Sequence, residues 1–81
     1  MWDDYFDAIV RRSLVHLDPD APLDPDARLT ALGLGSLQTV ALLVSLEDHY
    51  GVTFDGDDLT AATFRTPASL WSALSRAKAN S

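Results

Sequence analysis

Ser36 is the residue of this chain with the most evident chemical use. It stands in Leu32-Gly33-Leu34-Gly35-Ser36-Leu37-Gln38-Thr39-Val40, where a glycine-punctuated loop turns into a strongly apolar helix. The first turn of a helix presents unpaired backbone N–H groups and a partial positive charge, so a phosphate ester on this hydroxyl would be electrostatically favoured. Serine is also a preferred N-cap residue, and by position alone capping is the simpler use. Gly33 and Gly35 flank the hydroxyl without side chains, which would let an approaching enzyme reach the backbone.

No other cluster competes with it. His16 and His49 are lone histidines with no cysteine or second histidine at ligand spacing, so each reads as a structural residue at or near the surface, and neither a metal site nor a catalytic residue is expected. A Ser/His/acid triad rests on tertiary geometry, and a bundle this small offers little cleft for one. Asp18-Pro19-Asp20-Ala21 and Asp24-Pro25-Asp26-Ala27 repeat a turn-forming tetrapeptide. Their four carboxylates lack the spacing of a calcium loop.

The elements that must position Ser36 follow from hydrophobic spacing. Tyr5, Phe6, Ile9, Val10, Leu14 and Leu17 predict a first helix over about 2–17, with Asp3, Asp4 and Asp7 early and Arg11 and Arg12 late, the order that complements the helix dipole. Prolines at 19, 22 and 25 prevent its continuation and leave a long loop over 18–35, which Leu29 and Leu32 are expected to anchor on the core. A second helix should run over about 36–50 and stop at Gly51. Asp55-Gly56-Asp57-Asp58 predicts an acidic cap for a short third helix at about 57–62, and Thr66-Pro67 opens a fourth at about 67–77. Trp2 and Trp71 read as packing residues and Phe64 as a core anchor. With no alternating segment, the fold class is all-α: a small four-helix bundle of three main helices and a minor one.

The second helix carries apolar residues on too much of its circumference. Leu42, Leu43, Leu46 and Tyr50 fit a core-facing stripe, while Leu37, Val40 and Val44 repeat the helical spacing on another side, with Ala41 between. A bundle of so few helices seldom encloses any one of them, so the second stripe should be partly exposed, the mark of a binding surface. Glu47 and Asp48 sit in the last turn, where negative charge opposes the dipole and does not help the helix.

Eighty-one residues make one small domain over 1–81, and without cysteine an apolar core must hold it. Six basic against twelve acidic residues give a formal charge of −6, which argues against nucleic-acid binding and for basic protein surfaces as partners. The acidic start Met1-Trp2-Asp3-Asp4 is unlike a signal peptide, and the apolar runs are too short to span a membrane, so a cytoplasmic monomer is expected.

From about Leu29 to Leu74, through Gly35-Ser36-Leu37 and Ala41-Leu42-Leu43-Val44-Ser45-Leu46-Glu47-Asp48-His49-Tyr50-Gly51-Val52, the chain resembles the acyl and peptidyl carrier proteins. The resemblance implies an acyl-carrier type of bundle whose Ser36 bears a 4'-phosphopantetheine arm taken from coenzyme A. It implies a free-standing carrier, not an enzyme, that holds acyl, aminoacyl or polyketide intermediates as thioesters. Its partners would be a phosphopantetheinyl transferase, a loading enzyme (adenylation enzyme or acyltransferase), and ketosynthase or condensation enzymes. Leu37, Val40 and Val44 would dock those partners, and Glu47 and Asp48 would meet their basic patches.

The family signature Asp-Ser-Leu is Gly35-Ser36-Leu37 here. In carriers that aspartate helps the transferase and its magnesium ion engage the site, so the departure keeps a rival open: an unmodified helical interaction module with a carrier-like fold. A small hydrolase using Ser36 is a more distant third. Gln38 and Ala41 stand where fatty-acid carriers typically have acids, which leans toward specialised metabolism, such as polyketide, nonribosomal peptide or antibiotic biosynthesis, with docking less dependent on charge.

Overall fold

The computed structural model describes residues 2–18, 20–54, 56 and 59–79. Among them lie three α-helices and no strand: α1 (Asp4–Arg12), α2 (Ser36–Tyr50) and α3 (Pro67–Ala79). The Asp3 carboxylate caps α1 by accepting from Phe6 N–H at 2.8 Å. Asp7 and Arg11 pair one turn apart at 2.9 Å on its half-exposed side. Phe6, Ile9 and Val10 are buried on the other.

Apolar spacing predicts that this helix continues to about residue 17, whereas it ends at Arg12. The last turn tightens, with Ser13 N–H bonded to the Val10 carbonyl at 3.0 Å and Leu14 N–H to that of Arg11 at 3.1 Å. His16 N–H then bonds the Leu32 carbonyl at 2.9 Å, which draws the chain off the helical path. The apolar periodicity past Arg12 survives as packing: Leu14 is buried and Leu17 half-buried.

Each half of the repeated tetrapeptide closes a turn on its own first aspartate. Asp20 N–H donates to Asp18 Oδ1 at 3.0 Å, and Asp26 N–H to Asp24 Oδ1 at 2.8 Å. These are Asx turns, in which the Asp18 and Asp24 carboxylates serve the loop backbone, and no metal-holding cluster occurs among the described residues. The Arg11 guanidinium holds the loop to α1 through the Ala21 carbonyl at 2.7 Å. Ala68 N–H reaches the Pro25 carbonyl at 3.1 Å and Leu29 N–H the Arg65 carbonyl at 2.9 Å, tying the loop to the first turn of α3 and to the segment before it. Leu29 is fully buried and Leu32 half-buried, as anchors should be.

Of the short helix expected at about 57–62, Asp57 and Asp58 lie outside the described residues, as does Asp55 of its acidic cap. The described residues 59–66 form turns rather than an α-helix. Their backbone bonds span three residues, as in Leu59 N–H to Gly56 at 3.2 Å and Thr63 N–H to Thr60 at 3.2 Å. The Thr60 hydroxyl also lies within reach of Thr63 N–H, an alternative to helical bonding that threonine offers.

In α3 the Thr66 hydroxyl accepts from Ser69 N–H at 3.1 Å while Ser69 Oγ accepts from Thr66 N–H at 3.1 Å, a reciprocal cap that fixes the start at Pro67. Leu70, Ala73, Leu74 and Ala77 face the core, and the helix runs on to Ala79. Phe6 lies at the aromatic centre, 5.4 Å from Trp2 and 5.0 Å from Trp71 between ring centroids. Tyr50 Oη donates to Asp3 Oδ1 at 2.6 Å, joining the end of α2 to the start of α1. Partial burial raises the Asp3 carboxyl, but the Tyr50 and Phe6 hydrogen bonds outweigh it and hold the group below its ordinary value. Burial, then the adjoining Asp3, pushes the Tyr50 hydroxyl up.

Candidate functional site

Ser36 is the first residue of α2, not its cap. The N-cap is Gly35, extended at φ −96° and ψ −175°. Gln38 Oε1 reaches back to accept from Gly35 N–H at 3.1 Å. Thr39 donates both its N–H, at 2.9 Å, and its hydroxyl, at 2.8 Å, to the Gly35 carbonyl. These bonds fix the Gly35 peptide groups, while among the described residues no side chain caps the first-turn N–H groups of α2. The Ser36 side chain is exposed and makes no hydrogen bond within the described residues.

The two glycines before it serve different ends. Gly33 has φ +99°, and a Cβ there would lie 2.5 Å from Val15 Cγ2 and 3.0 Å from His16 N. Its bare backbone thus faces inward onto the turn after α1, not outward toward a visiting enzyme as its place in the sequence suggests. A Cβ on Gly35 would meet only the far end of Gln38, at 2.6 Å from Oε1. Gly33→Ala is accordingly expected to cost about 2 kcal/mol or more through strain and clash, and Gly35→Ala less than about 1 kcal/mol. Urea melts of the two variants check this.

Along α2 the two apolar stripes separate. Leu42 and Leu46 are fully buried, Leu43 and Tyr50 half-buried. Leu37 is 82% exposed, Val40 58% and Val44 50%. Asp48 is exposed, in a shallow groove beside Tyr5 and His49 on the flank of α1 and α2. Glu47 is used internally. Its Oε2 accepts from Phe54 N–H at 2.9 Å, closing the turn after Gly51 (φ +64°) and setting Val52 and Phe54 into the core. An acid in a helix's last turn, unfavourable for the dipole, was the signal that it had an acceptor role beyond the helix end.

Sequence reasoning missed a cavity of about 540 Å³ beside the exposed stripe. Thr39, Val40 and Leu43 form its α2 wall, facing Leu34, Leu59 and Phe64. Those α2 residues follow Ser36 by three, four and seven positions, so they continue its face of the helix for about 10 Å. Phe64, expected as a core anchor, is a half-buried wall of this space.

Among the described residues no side chain that could act as a base bonds Ser36. His16 and His49 are exposed and neither bonds Ser36; His49 instead stacks on Tyr5, with ring centroids 4.4 Å apart. The arrangement can present a hydroxyl at a helix N-terminus to a visiting catalyst, but it shows no means of activating that hydroxyl itself.

The family described as "Phosphopantetheine attachment site" matches residues 8–74. A search of curated proteins finds no match. Among solved structures, the fold is similar to a chain of the Bradyrhizobium japonicum glycine:[carrier protein] ligase complexed with glycylated carrier protein, with a TM-score of 0.68 at 22% identity, covering 88% of this chain and 99% of that one. At that identity the likeness attests the fold.

Proposed function

The chain belongs to the phosphopantetheine attachment family, and from that premise we propose that Ser36 is the residue that bears the group and that the face of α2 beyond it receives partner enzymes. Members of this family are carriers rather than catalysts, with 4'-phosphopantetheine as their prosthetic group. When bound, the group supplies a thiol that holds a carboxylic acid as a thioester. The observation that carries the assignment is the Ser36 hydroxyl itself: exposed, free of hydrogen bonds among the described residues, and set at the first turn of α2, where the helix field favours a phosphodiester. Its proton passes to a base that the modifying transferase brings, since no titratable side chain among the described residues bonds it.

Leu37, Val40 and Val44 offer partners an apolar surface next to that hydroxyl. The first turn of α2 has no acid, and Gln38 is engaged with Gly35, so contact there rests on apolar area more than on charge. This supports a carrier of specialised metabolism; we further propose an adenylation enzyme or acyltransferase as its loading partner and the cytoplasm as its place of action, with acyl and aminoacyl cargo both compatible. Gly35 in place of the family's aspartate favours the second reading, an unmodified interaction module, which intact mass after incubation with coenzyme A and a broad-specificity phosphopantetheinyl transferase separates from the first.

The docking face has its own test. Val44→Asp should slow loading by about tenfold or more, because it forces a charge into an apolar contact. Asp48→Asn and Glu47→Gln should change it by less than about fivefold, as exposed charges contribute little and glutamine keeps an acceptor for Phe54 N–H. Loading rates across a salt series measure this; a steep loss with salt and little effect of Val44→Asp would indicate electrostatic recognition instead.

A further inference from the structure

The cavity beside Ser36 carries an electrostatic feature that its apolar walls do not require. The chain has six basic residues against twelve acids, yet two of the six, Arg28 and Arg65, line this one space, and no carboxylate of the described residues does. The backbone bond from Leu29 N–H to the Arg65 carbonyl, at 2.9 Å, brings the two arginines to one side of the cavity. Neither guanidinium forms an ion pair or side-chain hydrogen bond within the described residues, and both residues are exposed. Two cations lining one apolar space, with no carboxylate of the described residues lining it beside them, can pair an anion placed there.

From these observations we propose that the cavity accepts cargo bearing a carboxylate at the end remote from its thioester, with Arg28 and Arg65 pairing the carboxylate and Leu43 and Phe64 packing its apolar chain. The proposal rests on Ser36 as the attachment point, since that places the cargo on the α2 face that forms the cavity wall. The arm's own phosphodiester is the less suitable partner for the arginines. It sits at Ser36, where the helix N-terminus already supplies its field, whereas the cavity continues along α2 to Leu43. A volume of about 540 Å³ falls within the range of small-molecule sites and has room for a short dicarboxylic half-thioester.

The test uses the whole chain, modified from adipyl-coenzyme A or hexanoyl-coenzyme A by a broad-specificity transferase. The two acyl groups match in length and differ in the terminal carboxylate. Cleavage of each thioester by hydroxylamine, a neutral nucleophile, is measured and normalised to the same thioester on coenzyme A. The adipyl form should be protected about fivefold more than the hexanoyl form, the scale of an exposed charge pair. Arg28→Gln/Arg65→Gln, or high salt on the native chain, should remove the difference. Amide NMR shifts of Leu43, Phe64 and Arg65 should move with adipyl and not in the double variant. Equal protection of the two cargoes, or a difference that persists in the double variant, overturns the proposal. An equal effect of the double variant on both cargoes assigns the arginines to the arm and overturns it too. Failure of Ser36 to accept either group is a separate outcome that sinks the carrier assignment itself and, with it, this inference.

Discussion

Leu46→Ala is expected to lower stability by about 2–5 kcal/mol, and Val44→Ala, two residues away on the same helix, by less than about 1 kcal/mol. Leu46 is fully enclosed in the core shared by all three helices, so truncation removes buried contacts and leaves a cavity. Val44 is half-exposed, and much of its apolar area already faces water. Urea unfolding of the two variants by circular dichroism gives both values. Comparable losses would mean that α2 is enclosed on both sides, and the docking face would have to be abandoned.

Ser36→Ala should abolish attachment of the arm completely while changing stability by less than about 0.5 kcal/mol. A serine at an N-cap would cost about 1 kcal/mol when replaced, but here the cap is Gly35, and Gln38 and Thr39 satisfy its N–H and carbonyl. Ser36 has no side-chain hydrogen bond to lose among the described residues. Loss of the adduct with an unchanged melt separates a chemical role from a structural one. An unfolded or strongly destabilised variant would show that the hydroxyl serves the helix after all.

Much of this was legible in the sequence because it depends on local chemistry. The second helix begins at Ser36 and ends at Gly51 as its pattern indicates, and Thr66-Pro67 opens α3. The exposed stripe Leu37, Val40 and Val44 followed from counting apolar residues against the faces a small bundle can bury. What escaped the sequence depends on contacts between distant segments. The first helix stops at Arg12 because His16 is captured by Leu32, a partner that periodicity cannot name. Gly33 is bare to admit Val15, eighteen positions back. Glu47 looked like a partner-facing acid because its own acceptor role lies with Phe54, across the turn at Gly51. The cavity was invisible for the same reason, since Arg28 and Arg65 come to line one space only when the long loop bonds the segment before α3.

The most direct measurement is the mass of the wild-type chain after incubation with coenzyme A and a broad-specificity phosphopantetheinyl transferase, followed by fragmentation of the modified peptide. The expected result is addition of a single phosphopantetheinyl group, localised to Ser36. No mass increase, or an adduct on another serine such as Ser13 or Ser45, would contradict the assignment of Ser36 as the attachment point.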